Sequence, residues 1–275
     1  MKEYILPILI FLGFGALSGI LLLIASKVLA VKTDETEAKI NEALPGANCG
    51  GCGYSGCAGY AAAVAHDGAP TNLCKPGGAD VMKKINAIMG TEGGEFIREV
   101  AYVRCNGCEK ATKDRFTFTG TKSCAAVEKF SNGKGKCRFG CDGYGDCAAV
   151  CGNDAITITD GVAVVDPAKC GGCGKCVTVC PNHLIFLRKE TSTVALRCSS
   201  KDSGKVTRTV CTNGCIGCKI CEKKCPHGAV IVADNHAVID YDKCTSCGTC
   251  VSACPRKCLV NITCTHSEKA EQADN

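Results

Sequence analysis

The sequence predicts an α+β protein with one long apolar helix at the N-terminus, a small helical domain after it, and two tandem copies of a cysteine-rich module. Three observations lead to this prediction: a run of 23 residues without a charge, 27 cysteines in a chain of 275 residues, and a 74-residue internal repeat. The net charge of +5 is mild, and no pattern of interleaved aromatic and basic residues indicates nucleic-acid binding. We therefore expect no nucleic-acid partner.

The uncharged run Tyr4–Ser26 is long enough to cross a membrane. As a helix with about 1.5 Å per residue it covers about 34 Å, against a hydrocarbon core of about 30 Å. We therefore predict a transmembrane anchor at residues 1–31. A cleaved signal peptide is the alternative, because Val28–Ala30 resembles a cleavage site. Since Lys27 and Lys32 follow the helix, the positive-inside rule predicts a single-pass protein of the cell membrane with its remaining domains on the cytoplasmic side.

The cysteines do not suit a disulfide scaffold. Their number is odd, the chain is long for a stapled mini-domain, and most of them lie in C-x2-C-x2-C runs. That spacing is too short for pairing within a run but suits the wrapping of a metal cluster. We expect free thiols in a reducing compartment.

The second half of the chain contains an internal duplication. Nine pairs of cysteines stand 74 residues apart in a single register. The pairs are Cys124 and Cys198, Cys137 and Cys211, Cys141 and Cys215, Cys147 and Cys221, Cys151 and Cys225, Cys170 and Cys244, Cys173 and Cys247, Cys176 and Cys250, and Cys180 and Cys254. One register shared by so many pairs indicates a duplicated module, which we place at residues 137–190 and 191–265.

Each module combines a short β-hairpin with a run of the form C-x2-C-x2-C-x3-C-P. The segments "AITI" and "VAVV" flank a "DG" turn in the first copy, and "AVIV" and "AVID" take the same places in the second. Such a run places three thiolates around one cluster, while its fourth cysteine reaches the other cluster of a two-cluster ferredoxin. Zinc is the alternative, but zinc sites do not need two coupled runs. We therefore predict two tandem ferredoxin-like modules with two [4Fe–4S] clusters each.

The exchange of fourth ligands assigns the cysteines of the modules to four clusters. The predicted sets are Cys215, Cys218, Cys221 and Cys254; Cys244, Cys247, Cys250 and Cys225; Cys170, Cys173, Cys176 and Cys151; and Cys137, Cys141, Cys147 and Cys180. The last set departs from the pattern, because Tyr144 stands where the second copy has Cys218.

A fifth cluster is predicted in a small helical [4Fe–4S] domain at residues 32–92, whose first part, 32–47, is expected to be a charged linker. The stretch "NCGGCGYSGC" and a later cysteine supply the ligands Cys49, Cys52, Cys57 and Cys74. Its glycines allow positive φ and let backbone N–H groups approach cluster sulfurs. "AGYAAAVA" predicts a helix, and zinc is the alternative occupant.

The remaining cysteines raise the hypothesis of a sixth cluster. Its ligands would be Cys105, Cys124, Cys198 and Cys211, with small buried thiols as the alternative. No ligand role is predicted for Cys108, Cys258 and Cys264. We expect a mixed connecting region with strand-like "YVRC" and "RFTFTG" at residues 93–136, and a disordered tail at 266–275.

The stretches "CGGCGYSGCAGYAAAV" and "LCKPGG" resemble the small iron–sulfur domain of the B subunits of Rnf ion-translocating electron transport complexes and of some corrinoid iron–sulfur proteins. The order of parts is also similar to the Rnf B subunits: an apolar helix, this domain, then "CRFGCDGYGDCAAVC" and ferredoxin modules. The resemblance covers nearly the whole chain. The chain departs from it at Gly152, where proline would follow Cys151, and in its second module, which many members lack.

The resemblance implies a membrane-anchored electron relay that is part of a ferredoxin-dependent ion-translocating oxidoreductase. It would accept electrons from reduced soluble ferredoxin and pass them to other membrane subunits, with every ligand cysteine holding iron and no acid–base catalytic residue in the chain. Residues 184–224 contain nine Lys/Arg and three Asp/Glu, a balance that suits an acidic partner such as ferredoxin. A polyferredoxin of a hydrogenase or formate-oxidising complex, and an iron–sulfur redox sensor or scaffold, are the alternatives.

Overall fold

The computed structural model describes residues 2–28, 34–92 and 94–262. An N-terminal helix is followed by a three-helix domain and by two modules of short strands and helices. Among the described residues the strands form four separate two-stranded sheets, so the class is mixed α and β, as predicted. The predicted disordered tail at 266–275 lies outside the described residues, as does Cys264.

The N-terminal helix α1, Lys2–Val28, has 27 residues, and large apolar side chains between Phe11 and Ile24 are exposed. In the part of the chain that the structure describes, no helix has the combination of length and apolar character needed to cross a membrane. The structure therefore does not support the transmembrane helix predicted over Tyr4–Ser26.

Three helices form the small domain. They are α2 (Glu35–Ala43), α3 (Cys57–Asp67) and α4 (Gly78–Met89). Helix α2 begins after Asp34, whose carboxylate accepts a 2.9 Å hydrogen bond from a backbone N–H of the first turn. Ile40, Tyr60 and Ile85, one from each helix, are at most 1% exposed and share one core. Because Ile40 is buried there, α2 is part of the domain and not of the linker predicted at 32–47.

The first module has four strands and three short helices. In chain order they are β1 (Glu99–Val103), α5 (Cys124–Ser131), α6 (Asp146–Ala149), β2 (Ile156–Thr159), β3 (Val162–Val165), α7 (Lys175–Val179) and β4 (Ile185–Lys189). Strands β2 and β3 form the predicted hairpin, and its two turn residues, Asp160 and Gly161, both have the positive φ that a type I′ turn requires.

Strand β1 pairs antiparallel with β4, so residues predicted as a connecting region at 93–136 supply an edge of the first module. This pairing joins segments about 85 residues apart, and a local sequence pattern carries no information on it. The predicted strand "RFTFTG" is not formed; beside it there is only an isolated bridge between Asp114 and Gly135.

The second module repeats this plan. Its elements are β5 (Val194–Leu196), α8 (Gly204–Val210), α9 (Ile220–Lys224), β6 (Val230–Ala233), β7 (His236–Ile239), α10 (Thr249–Ser252) and β8 (Leu259–Asn261). Strands β6 and β7 form the predicted hairpin, again with two positive-φ turn residues, Asp234 and Asn235. Strand β5 pairs antiparallel with β8, as β1 does with β4.

A buried arginine joins the two modules. Arg188, on β4, is 2% exposed, and its guanidinium donates to the backbone carbonyls of Ser192 and Ile262. Tyr241 of the second module also donates its hydroxyl to the hydroxyl of Tyr102 on β1, at 3.3 Å. These contacts fix the end of one module against the end of the other.

Tyr60→Phe should destabilise the small domain. The Tyr60 hydroxyl donates to the carbonyl of Pro70 at 2.7 Å and accepts from the N–H of Leu73 at 3.3 Å. Its removal leaves two partners unsatisfied at a partly buried position, which costs about 1–3 kcal/mol. Thermal unfolding followed by circular dichroism under anaerobic conditions measures the change. Tyr54→Phe removes the same atom from a neighbouring ring and is the matched control. Equal melting temperatures for both variants would contradict the assignment.

Candidate iron–sulfur sites

Every cysteine that the structure describes is a free thiol. Apart from Cys108 and Cys258, these cysteines form six groups of four, which share cavities or influence one another's ionisation. The groups are site 1 (Cys49, Cys52, Cys57, Cys74), site 2 (Cys151, Cys170, Cys173, Cys176), site 3 (Cys124, Cys141, Cys147, Cys180), site 4 (Cys105, Cys137, Cys198, Cys211), site 5 (Cys215, Cys218, Cys221, Cys254) and site 6 (Cys225, Cys244, Cys247, Cys250). Among the described residues, no three His, Cys, Asp or Glu side chains form a group that could hold a single metal ion.

Site 1 is held by the loop before α3 and the turn before α4. Burial raises the pKa of Cys74, and the thiols of Cys57, Cys49 and Cys52 add to the effect, so the four predicted cysteines lie together. Gly77 lets the chain close over them, because a Cβ at this position would stand 3.0 Å from the Cys74 sulfur. The "KPGG" stretch therefore has a steric role at the site.

Site 2 also contains the four cysteines predicted for it. Burial raises the pKa of Cys176 to about 12, and the three other thiols act in the same direction. The backbone N–H of Ala101, on β1, donates to the Cys170 sulfur at 3.3 Å. The N–H of Ala155 donates to the Cys151 sulfur at 3.4 Å. Donors directed at sulfur in this way are typical of cluster-binding loops.

Sites 5 and 6 retain the ligand exchange of a two-cluster ferredoxin. Burial raises the pKa of Cys221 to about 11, with Cys215, Cys254 and Cys218 as its neighbours. Site 6 repeats site 2, since the N–H of Ala229 donates to the Cys225 sulfur at 3.3 Å, 74 residues after the bond from Ala155 to Cys151. The two copies therefore agree in detail as well as in cysteine spacing.

Sites 3 and 4 differ from the sets predicted from spacing, because Cys124 and Cys137 have exchanged places. Cys124 lines one cavity with Cys141, Cys147 and Cys180. Burial raises the pKa of Cys147 to about 12, and the thiols of Cys141, Cys124 and Cys180 contribute. Cys137, predicted to belong to this group, lies instead with the cysteines of site 4, whose thiols add to the burial that raises its own pKa to about 12.

The exchange has a structural cause in the first turn of α5. The Asp146 carboxylate accepts hydrogen bonds at 3.0 Å from the backbone N–H groups of Cys124 and Ala125, so this turn is tied to the loop before α6. Burial raises the pKa of the Cys124 thiol, and the nearby backbone N–H groups of residues 144–146 oppose that rise. Cys124 thus reaches the loop where Tyr144 replaces the cysteine of the second copy. The missing cysteine at 144, together with Cys124 upstream of the ferredoxin-type run, was the sequence signal for this arrangement.

Cys258, which had no predicted role, lies against site 5. It is 2% exposed, and its sulfur is 3.5 Å from that of Cys254. The hydrogen bond from the Cys258 thiol lowers the pKa of Cys254 to about 5 and helps to lower that of Cys215 to about 6. The residue 74 positions earlier is Leu184, so this sulfur-directed donor is specific to the second module.

The six sites form a continuous row. Sites 1 and 2 touch, since a Cβ added to Gly51 would stand only 2.8 Å from the carbonyl oxygen of Cys173. Site 2 borders site 3, where Cys147 acts on the ionisation of Cys176. Site 3 borders site 4, where Cys105 acts on Cys141. A direct contact then follows between sites 4 and 5.

That contact is a hydrogen bond from the backbone N–H of Cys215 to the sulfur of Cys198, at 3.3 Å. Sites 5 and 6 are the exchange-linked pair of the second module. The donor set of each site is four thiols, buried or half-buried except for Cys218 and Cys247, and nearby backbone N–H groups point at the sulfurs. This set fits [4Fe–4S] clusters, which thiolates hold and N–H donors tune.

Protein-family models match four parts of the chain. A "Putative Fe-S cluster" model matches residues 44–76, an "LdpA Fe-S cluster-binding domain" matches 125–191, and "4Fe-4S dicluster domain" models match 169–229 and 214–259. Together with the thiol geometry, these matches define an iron–sulfur protein with ferredoxin-type dicluster domains.

The curated relatives identify the family to which this iron–sulfur protein belongs. The chain is 42% identical over 248 residues to the B subunit of the ion-translocating oxidoreductase complex of Methanosarcina acetivorans, an alignment that covers 90% of this chain and 94% of the relative. It is 43% identical over 260 residues to the B subunit of the Na⁺-translocating ferredoxin:NAD⁺ oxidoreductase complex of Acetobacterium woodii, covering 94% of this chain and 78% of the relative. The chain belongs to the family of B subunits of ion-translocating oxidoreductase (Rnf) complexes, and the resemblance seen in its motifs is confirmed.

Cys258→Leu should shift the reduction potential of the cluster in site 5 to a more negative value without loss of iron. Leucine occupies this position in the first module, so the change is compatible with the packing. A hydrogen bond to sulfur strengthens on reduction, and a difference of about 1 kcal/mol corresponds to roughly 40 mV for one electron. Redox titration followed by electron paramagnetic resonance measures the shift. Cys258→Ser keeps a donor and should stay near the wild-type potential; an unchanged potential in the leucine variant would refute the role.

Proposed function

We propose that this chain is the electron relay of its complex, that it accepts electrons from reduced ferredoxin, and that it passes them to membrane-bound redox partners. [4Fe–4S] clusters, when bound, carry one electron each. Five of them are proposed in sites 1, 2, 3, 5 and 6. The observation that carries the proposal is the row of cysteine sites, in which neighbouring loops touch from the small domain to the second module.

The protein keeps the sites close together and largely dry. The loops of sites 1 and 2 meet through Gly51, where even one methyl group would collide with the carbonyl of Cys173. Buried side chains such as Val100, Ile156 and Ile185 share one core with Cys147, Cys170 and Cys176 of sites 2 and 3. Short separations and a low dielectric favour transfer between fixed groups and exclude side reactions with water. The chain thereby supplies positions and surroundings, and no side chain needs to act as acid or base.

The second module offers the exposed end of the row. Among the described cysteines, only Cys218 of site 5 and Cys247 of site 6 are exposed. Six basic side chains of the region 184–224 are also exposed: Lys201, Lys205, Arg208, Lys219, Lys223 and Lys224. Exposed basic groups beside an exposed ligand suit an acidic electron donor, since opposite charges steer encounter. The relatives from Acetobacterium woodii and Clostridium ljungdahlii are named as parts of ferredoxin:NAD⁺ oxidoreductase complexes, which supports ferredoxin as the donor.

The double charge reversal Lys223→Glu with Lys224→Glu should slow reduction of the protein by ferredoxin about tenfold at low ionic strength. The cause is the loss of two positive charges in the last turn of α9, the helix that follows Cys218 in the chain. Stopped-flow absorbance with reduced ferredoxin measures the second-order rate, and the difference from wild type should fade as salt is added.

The matched control is Lys83→Glu with Lys84→Glu, an adjacent exposed lysine pair on α4 of the small domain. The net charge changes by the same amount in both variants, so a purely global effect of charge would slow both alike. Equal slowing of the two variants would mean that the donor docks elsewhere on the surface. A wild-type protein that ferredoxin does not reduce at all would refute the relay function itself.

Attachment to the cell membrane, with the cysteine sites on the cytoplasmic side, is also part of the proposal. The support is the exposed apolar surface of α1, which includes Phe11, Leu17 and Ile24. A continuous apolar patch of this kind on a soluble protein marks a membrane or protein interaction site. Site 1, in the domain that follows α1 in the chain, would then be the site nearest to the membrane partners.

Leu17→Arg with Leu21→Arg should release the protein from the membrane fraction. Each arginine at the centre of an apolar helix costs about 2.5–3.5 kcal/mol of insertion free energy. Sedimentation after sodium carbonate extraction, with immunoblotting of pellet and supernatant, measures the distribution. Ala38→Arg with Asn41→Arg adds the same charge to the exposed face of α2 and should remain in the pellet. Full release of wild-type protein by carbonate would rule out stable insertion.

A further inference from the structure

Site 4 lies outside the two ferredoxin patterns of the chain. Cys105 is not covered by any of the matched family models at 44–76, 125–191, 169–229 and 214–259. Cys137 is the repeat counterpart of Cys211, while Cys198 and Cys105 come from loops after β5 and β1. The group is thus assembled from both modules and from the segment that precedes them.

The four thiols surround a real cavity. Cys105, Cys198 and Cys211 are at most 7% exposed, and Cys137 is half-buried. All four line a cavity of about 290 Å³ that reaches both modules. Cys141 of site 3 also lines this cavity, but it shares a second cavity with Cys124, Cys147 and Cys180. The four remaining thiols match the donor set of a [4Fe–4S] cluster.

A repeated backbone geometry distinguishes these cysteines from ordinary buried thiols. The sulfurs of Cys105 and Cys198 each accept a hydrogen bond from the backbone N–H two residues further on, at Gly107 and Ser200. The N–H groups of residues 139 and 213 stand in the same sequence relation to Cys137 and Cys211, where they oppose the rise in thiol pKa that burial causes. The bond to Cys105 measures 3.4 Å and that to Cys198 measures 3.5 Å. Backbone N–H groups directed at sulfur in this way indicate a built site for negatively charged sulfur.

Arginines supply positive charge around the site. Arg197 donates to the carbonyl of Cys105 at 3.3 Å, and Arg256 donates to the carbonyl of Cys211 at 2.8 Å. Arg104 lies close enough to Cys198 to favour its thiolate. Four thiolates in a buried space need such compensation, because an uncompensated buried charge is strongly unfavourable.

We propose that site 4 binds a sixth [4Fe–4S] cluster through Cys105, Cys137, Cys198 and Cys211, and that this cluster is the link between the two ferredoxin-like modules. Cys124 then completes site 3 in place of the cysteine absent at position 144. This proposal rests on the proposed relay function and extends that function. With a cluster in site 4, the row of sites has no gap between Cys141 of site 3 and Cys215 of site 5.

Paired substitutions identify the members of each group by iron counting. Anaerobically reconstituted full-length protein is analysed for iron, sulfide and zinc per chain. Cys105→Ala and Cys137→Ala should each lose about four irons, and the double variant should also lose only about four, because both residues serve one cluster. Cys105→Ala with Cys124→Ala should lose about eight. The opposite result, about eight for the first pair and about four for the second, would overturn the assignment in favour of the spacing-derived sets.

Cys108→Ala is the matched control. Cys108 is also half-buried and lies near Cys211, but it does not line the cavity, so its removal should leave the iron content unchanged. Unchanged iron in Cys105→Ala would overturn the sixth cluster while leaving the relay intact. Loss of one zinc in place of iron from that variant would do the same. Wild-type protein without any iron would defeat the proposed function, which keeps the two failures distinct.

Alkylation of thiols in the native wild-type protein tests whether Cys137 is a cluster ligand. It needs no substitution, so it does not depend on whether a variant folds. Cys108, Cys124 and Cys137 are all half-buried, so burial alone should protect them to a similar degree. Iodoacetamide under anaerobic conditions, followed by peptide mass spectrometry, should modify Cys108 and spare the other two. Removal of iron with a chelator should abolish the difference. Equal modification of Cys108 and Cys137 in the iron-loaded protein would refute ligation by Cys137.

Discussion

The convergence of four thiols on one small buried space is the constraint on which the rest of the structure depends. The strands of the protein have three to five residues, and most helices of the two modules have four to eight. Elements this short cannot build a large apolar core. Burial raises the pKa of Cys137, Cys141, Cys147 and Cys176 to about 12, so as free thiols they hold protons. A cluster held by these residues would replace those protons, and its binding free energy would then contribute to the free energy of folding.

Duplication explains the regularity of the modules, and a few divergent positions explain what is new in them. The hairpins, the sulfur-directed bonds from Ala155 and Ala229, and the pairing of outer strands recur in both copies. Tyr144 and Leu184 mark positions where the first copy lacks a cysteine that the second copy has. Cys124 compensates for the cysteine that is absent at position 144. Cys137 is therefore free to join site 4, which lies between the two modules.

Local spacing was sufficient to predict the hairpins, the helix at α3 and which cysteines lie together in sites 1, 2, 5 and 6. Each of these is formed within one short segment or follows the spacing of a two-cluster ferredoxin. Local spacing was insufficient for sites 3 and 4. Whether Cys124 or Cys137 faces site 3 depends on how Asp146 ties the first turn of α5, which is a tertiary contact. The pairing of β1 with β4 was missed for the same reason.

The row of sites has a direction that follows from exposure and chain order. Its two exposed thiols, Cys218 and Cys247, lie at the end formed by the second module, which also exposes several lysines. Its other end, site 1, belongs to the domain that follows the apolar helix α1 in the chain. A donor that diffuses in solution needs an open, charged surface, while fixed partners in a complex need a buried contact. Under the proposed function, the row would therefore separate a diffusing donor at the second module from fixed partners near site 1.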